Sequence, residues 1–175
     1  MRTVELVCSS GLDAEVRAVW GRLVAAGLPS LARNVHPTNR PHLTLAAVDG
    51  FPPGVEDRLA GLFDAALPVP VTLDRIVVLD GSRPLVWLLR PAPALTALHA
   101  AVWDVLAGAD GQRPWHAPGA WVPHLSLALR FRDADLRLAR AVAGGQRPTG
   151  AFVAARSYDA TGRTVTPLGP GPPSP

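Results

Sequence analysis

The chain has 175 residues and a mass of 18.4 kDa, enough for one ordinary domain or two small lobes sharing a cleft. Hydrophobic residues at 48% and charged residues at 18% sit close to globular averages, which excludes a disordered chain and a coiled coil. The net charge is +3, every basic residue is arginine, and no block of like charges or 18-residue apolar run occurs, so neither a membrane nor duplex DNA is expected as a partner.

A single cysteine, Cys8, rules out an intramolecular disulfide framework and a cysteine-based zinc site. It points to a reducing compartment, with the cytoplasm as the expected location. The first strand is expected at Thr3 to Cys8. Leu12, Val16, Val19, Trp20 and Leu23 recur at helical spacing, predicting a helix from Leu12 to about Ala26 with Ser10 as its N-cap and Gly27 and Pro29 beyond its end. A strand at His42 to Val48, a helix at about Val55 to Ala66 and a strand at about Val71 to Leu79 follow.

The same order then repeats. A strand at Leu85 to Arg90 precedes a helix at about Ala94 to Ala107 carrying Leu95, Leu98, Val102 and Leu106. After a long loop, Gly108 to Pro123, come a strand at His124 to Arg130, a helix at Asp133 to Ala143 and a strand at about Ala151 to Tyr158. Corresponding strands start at 3 and 85, at 42 and 124, and at 71 and 151, an offset too long for a solenoid repeat and expected of a duplicated unit. The turn Asp80 to Arg83 joins the halves as a hairpin. The expected architecture is therefore α+β, two β-α-β-α-β units related by a pseudo-twofold. They form a single bilobal domain over residues 1–166, with lobes of about 1–80 and 84–160 that can exchange strands. The Pro/Gly-rich stretch Pro167 to Pro175 is expected to be a disordered tail. A monomer is expected.

Each central strand opens with nearly the same pentapeptide, Pro41-His42-Leu43-Thr44-Leu45 and Pro123-His124-Leu125-Ser126-Leu127. Strand alternation puts His42, Thr44, Ala46 and Val48 on one face, and His124, Ser126, Ala128 and Arg130 on the corresponding one, with the leucines behind. If the halves face each other, two imidazoles and two hydroxyls line one cleft. Displacement at phosphorus wants that set: a base for the attacking oxygen, an acid for the leaving oxygen, and donors for the non-bridging oxygens. Histidine, with an ordinary pKa near 6.5, serves as either at neutral pH. No carboxylate cluster stands near these strands to hold a metal.

The paired tetrads His42-Leu43-Thr44-Leu45 and His124-Leu125-Ser126-Leu127, in a duplicated frame of this size, resemble the two-histidine (2H) phosphoesterase superfamily, and within it the bacterial 2′-5′ RNA ligase-like (LigT) branch. The resemblance implies antiparallel sheets lining a central cleft with helices outside. It also implies metal-independent, cofactor-free action on 2′,3′-cyclic phosphates or 2′-5′ links, with RNA ends or cyclic nucleotides as partners. By the same resemblance His42 and His124 are the catalytic acid and base, and Thr44 and Ser126 hold the phosphate. The opening strand departs from the family in lacking an aromatic residue.

Arg130, on the expected face of His124, is a further candidate for phosphate. Trp115, in the loop before the second motif, and Arg156 and Tyr158, sharing parity on the last strand, are candidate substrate contacts, the aromatics by stacking on a base. His99 lies in the apolar stripe of its helix and reads as a packing residue. Two rival readings remain: a non-catalytic module that binds a nucleotide or RNA end, and a metal hydrolase with His42 and His124 as ligands, which lacks the third protein ligand such sites use.

Overall fold

A computed structural model describes residues 1–169 of the chain. The apolar stripes become helices where they were expected. In α1 (Ser10–Ala25) the residues Leu12, Val16, Val19, Trp20 and Leu23 are buried, and Gly27 leaves the helix at φ +73°, a conformation open to glycine at little cost. The helix begins at Ser10 and its cap is Ser9, whose side chain makes no capping bond, so the expected cap at Ser10 falls one residue late. Helix α2 (Val55–Ala66) buries Val55, Leu59 and Phe63, and α3 (Pro93–Val105) buries Leu95, Leu98, His99 and Val102. The last helix is shorter than expected: Asp133–Asp135 is a 3₁₀ turn and α4 spans Leu136–Ala143.

Among the described residues seven antiparallel strands complete an α+β fold: β1 (Arg2–Cys8), β2 (His42–Val48), β3 (Val69–Val78), β4 (Leu85–Leu89), β5 (His124–Ala128), β6 (Thr149–Asp159) and β7 (Thr164–Leu168). Their order is β2-β1-β6-β3-β4-β5, with β7 paired to β6. Under the pseudo-twofold β1, β2 and β3 correspond to β4, β5 and β6, so each half sends its last strand to the other: β6 pairs with β1, and β3 with β4. The centre is the β3–β6 pairing from Val69↔Phe152 to Thr72↔Thr149. Beyond Thr72 the long β3 turns to β4 instead, reaching Val78↔Leu85 at the hairpin.

The apolar faces of the sheet and the helices share one core, in which Trp20, Phe63, Phe131 and Phe152 are the largest fully buried side chains. Helix α1 packs against α4 and also reaches β5 in the other half, while α3 packs against α2 and reaches β2. The end strands β2 and β5 approach within Cα distances of 8 Å. That approach brings the two motifs together.

Pro167 and Leu168, expected in the tail, belong instead to β7. Leu168 is buried, and Gly169 lies against Ala60 and Phe63 of α2; an apolar residue among prolines is enough to dock the strand. The remainder of the expected tail, residues 170–175, lies outside the described residues. None of the described helices is long and apolar enough to cross a membrane.

Candidate active site

The two motif strands are irregular in the same place. In β2, Thr44 pairs with Glu5 and Ala46 with Val4, leaving Leu45 as an extra residue; in β5, Ser126 pairs with Val86 and Ala128 with Leu85, leaving Leu127. A bulge shifts the phase of side-chain alternation. Up to Thr44 and Ser126 the expected alternation holds, with the leucines buried and His42, Thr44, His124 and Ser126 half-buried on the other face. Past the bulge, Ala46, Val48 and Ala128 turn into the core, correcting the expectation that they share the histidines' face. Strand β5 ends at Ala128, and Arg130 is exposed in a left-handed backbone conformation (φ +52°). The strand expected to carry Arg130 beside His124 has ended two residues before it.

Both histidines are tethered alike. The Nδ1 of His42 lies 2.8 Å from the carbonyl oxygen of Arg40, and the Nδ1 of His124 lies 2.7 Å from that of Val122. A carbonyl only accepts, so in each ring Nδ1 carries the proton and Nε2 is left for the cleft. Burial holds His124 below the usual histidine range; its bond to Val122 opposes the shift and the nearby charge of His42 adds to it. His42 has a different neighbour: its Nε2 is 3.7 Å from the Glu5 carboxylate, an ion pair when the ring is protonated. Glu5 is itself buried, accepting from Arg156 Nε at 2.8 Å and from the Thr3 hydroxyl at 2.7 Å.

Two depressions flank the motifs. The larger, about 630 Å³, is lined by Thr44 and His124 together with Trp115, His116, Trp121 and Val122, and is closed by the Leu79–Pro84 turn. The smaller, about 200 Å³, takes in His42, Glu5, Arg156, Tyr158 and Arg163 along with His36, Thr38 and the asparagines 34 and 39. Trp115 thus shares a wall with Thr44 and His124, while Arg156 and Tyr158 meet His42. Ser126 stands two residues beyond His124 on the same face. Arg130 lines neither depression.

The chain from residues 11 to 156 matches the family model of the 2′-5′ RNA ligase superfamily. It belongs to that superfamily. The fold recurs in solved structures at low identity: the MHV ns2 PDE domain (16% identity, TM-score 0.57, covering 96% of this chain and 98% of that one), E. coli LigT complexed with 3′-AMP (22%, 0.52, 95% and 93%) and Kluyveromyces marxianus Usb1 with uridine monophosphate (13%, 0.51, 97% and 97%). At these identities the likeness is one of fold. No curated protein sequence matches the chain.

For a superfamily member, three residues beside the motifs escape sequence reasoning. Glu5 is the lone acid in an apolar strand, at parity with Thr3 and Val7, and that parity was the available signal. Trp121 donates its indole N–H to the Thr44 carbonyl at 3.0 Å, a contact across 77 residues that no local pattern announces. Arg163 lines the smaller depression from the β6–β7 turn, beyond the last element expected. Among the described residues no three His, Cys, Asp or Glu side chains converge as a ligand set for a metal ion.

Proposed function

We propose that the protein is a phosphodiesterase that opens 2′,3′-cyclic phosphates on RNA ends or nucleotides, with His42 and His124 as acid and base and no metal ion or cofactor. The observation that carries this reading is the matched tethering of the two imidazoles, which commits each Nδ1–H to a backbone carbonyl and leaves each Nε2 for proton transfer. Water attacking phosphorus gives a proton to His124 Nε2; the bond from phosphorus to the 2′ or 3′ oxygen breaks, and that oxygen takes the proton of His42 Nε2. Burial disfavours the His124 imidazolium, which suits a base. Glu5 supplies a counter-charge to an imidazolium at His42, which suits an acid. The Thr44 and Ser126 hydroxyls donate to the non-bridging oxygens.

Trp115, 63% exposed on the wall of the larger depression, offers a face on which a base stacks. Arg163 offers positive charge beside His42. Membership of the superfamily supports the reaction class, and the nucleotides bound to the LigT and Usb1 neighbours support the ligand class. A 5′-hydroxyl of a second RNA end replacing water, with the bond from phosphorus to the 3′ oxygen breaking and that oxygen taking the proton, would form a 2′-5′ link by the same proton transfers.

The test is product analysis on a panel of 2′,3′-cyclic nucleotides and cyclic-ended RNAs, in the presence of chelator. Wild type is expected to turn over and to show a bell-shaped pH profile. His42→Ala and His124→Ala are each expected to lose roughly 10²- to 10⁴-fold in kcat. Near-wild-type turnover in either variant defeats the proposal, and binding without turnover by wild type favours the non-catalytic module. The position of the opened phosphate reports which oxygen His42 protonates.

A further inference from the structure

Strands β2 and β5 are the two ends of the sheet order, so each leaves one row of backbone N–H and C=O groups without a neighbouring strand. The two strands approach each other, and a buried carbonyl without a donor is costly. Both motif carbonyls are met by tryptophan. The Thr44 carbonyl accepts the Trp121 indole N–H at 3.0 Å, and the Ser126 carbonyl accepts the Trp20 indole N–H at 3.1 Å. Each acceptor belongs to the hydroxyl residue of a motif, two positions beyond the histidine.

Each donor comes from the opposite half of the chain. Trp20 projects from α1 onto β5, and Trp121, in the loop before β5, reaches back to β2. Both indoles are held firmly. Trp20 is 2% exposed. The Trp121 ring lies flat on His99, with centroids 3.9 Å apart and planes 1° from parallel, and His99 Nε2 donates to the His116 carbonyl at 2.9 Å. Helix α3, which carries His99, therefore braces Trp121 from behind.

We infer that Trp20 and Trp121 are positioning residues: their two indole N–H bonds, crossing between the halves in opposite directions, set the separation of His42 and His124. The inference rests on the reading of those histidines as the catalytic pair. No ladder joins β2 to β5; β1 and β4 hold their inner edges, and the Arg113 N–H meets the Ala47 carbonyl farther along β2. At the motifs themselves the approach of the two strands depends on side-chain packing and on the two indole bonds. Proton transfer on both sides of a single phosphorus is sensitive to errors of about 1 Å. Trp20 is buried in the core, and Trp121 also lines the larger depression. Each acts through the strand it ties.

Phenylalanine keeps an aromatic ring and removes the N–H, so Trp121→Phe and Trp20→Phe are the test variants. In 2′,3′-cyclic nucleotide assays each is expected to lower kcat about tenfold with KM within about twofold. The double variant should lose less than the product of the two, because both bonds constrain one distance. A second measurement needs no turnover. NMR titration of His124 with and without His42→Gln reads how strongly the His42 charge is felt, and the indole variants are expected to reduce that coupling by about half or more. Trp121→Phe retaining both wild-type kcat and full coupling overturns the inference. If Trp20→Phe does not fold, Trp121→Phe decides alone. If wild type opens no cyclic phosphate, the proposed function fails, and the coupling measurement still decides the role of the indoles.

Discussion

His42 and His124 share a tether but differ in surroundings. His42 faces the buried Glu5 carboxylate, whereas the β4 residues alongside His124 and Ser126 are Leu88 and Val86. Two copies of one motif thus sit in unlike surroundings, an asymmetry on which the proposed division into acid and base draws. His116, on the wall of the larger depression, is pushed down to about 4, chiefly by burial and then by the neighbouring charges of His99 and His124. Its buried Nδ1 has no hydrogen-bond partner among the described residues. The sign for stability follows: below about 6.5 the unfolded chain binds a proton that the folded chain refuses until about 4, so the folded state loses stability as pH falls through that window. Urea unfolding at pH 7 and pH 5 should show this loss, and His116→Asn should flatten it. At this scale the motif residues were legible because they occur twice in matched contexts. Glu5 and the indole donors were not, since their roles exist only where strands distant in sequence become neighbours.

The matched bulges at Leu45 and Leu127 separate what a strand pattern can and cannot say. A period of two carries through a strand only while the pairing is regular, and one extra residue reverses every side chain beyond it. That explains why the faces of His42, Thr44, His124 and Ser126 were read correctly and those of Ala46, Val48 and Ala128 were not, whereas Arg130 lies past the end of β5. Strand β7 shows the complementary failure: composition assigned Pro167 and Leu168 to a tail, but one edge of β6 and the surface of α2 were open to receive them. Leu168→Ala should cost about 2–5 kcal/mol in equilibrium unfolding, the range for emptying a buried leucine site. Thr166→Ala, exposed on the same strand, should change stability by less than about 0.5 kcal/mol. Equal effects at the two positions would show that β7 does not dock.

Across the whole molecule, the exchange of β3 and β6 makes each half incomplete. Without β6, β1 has β2 as its sole partner, and without β4 half of β3 is unpaired. The buried Arg156–Glu5 ion pair likewise joins strands from the two halves. A fragment of residues 1–80 should therefore show little far-UV or near-UV circular dichroism signal of a packed fold by itself, and should gain it on mixing with residues 81–175; a stably folded 1–80 fragment would contradict this. The sequence by itself determined the α+β class, the doubling of the unit, the helix stripes and the two tetrads, because periodicity, turn residues and repetition are local and survive without neighbours. Tertiary structure alone decided the partners of β3 and β6, the bulges that turned Ala46 and Ala128 inward, the acid beside one histidine and the indoles tying the two strands. Each of these depends on which chain segments meet across the sheet and its edges, and the free energy of that meeting is written in no short stretch of residues.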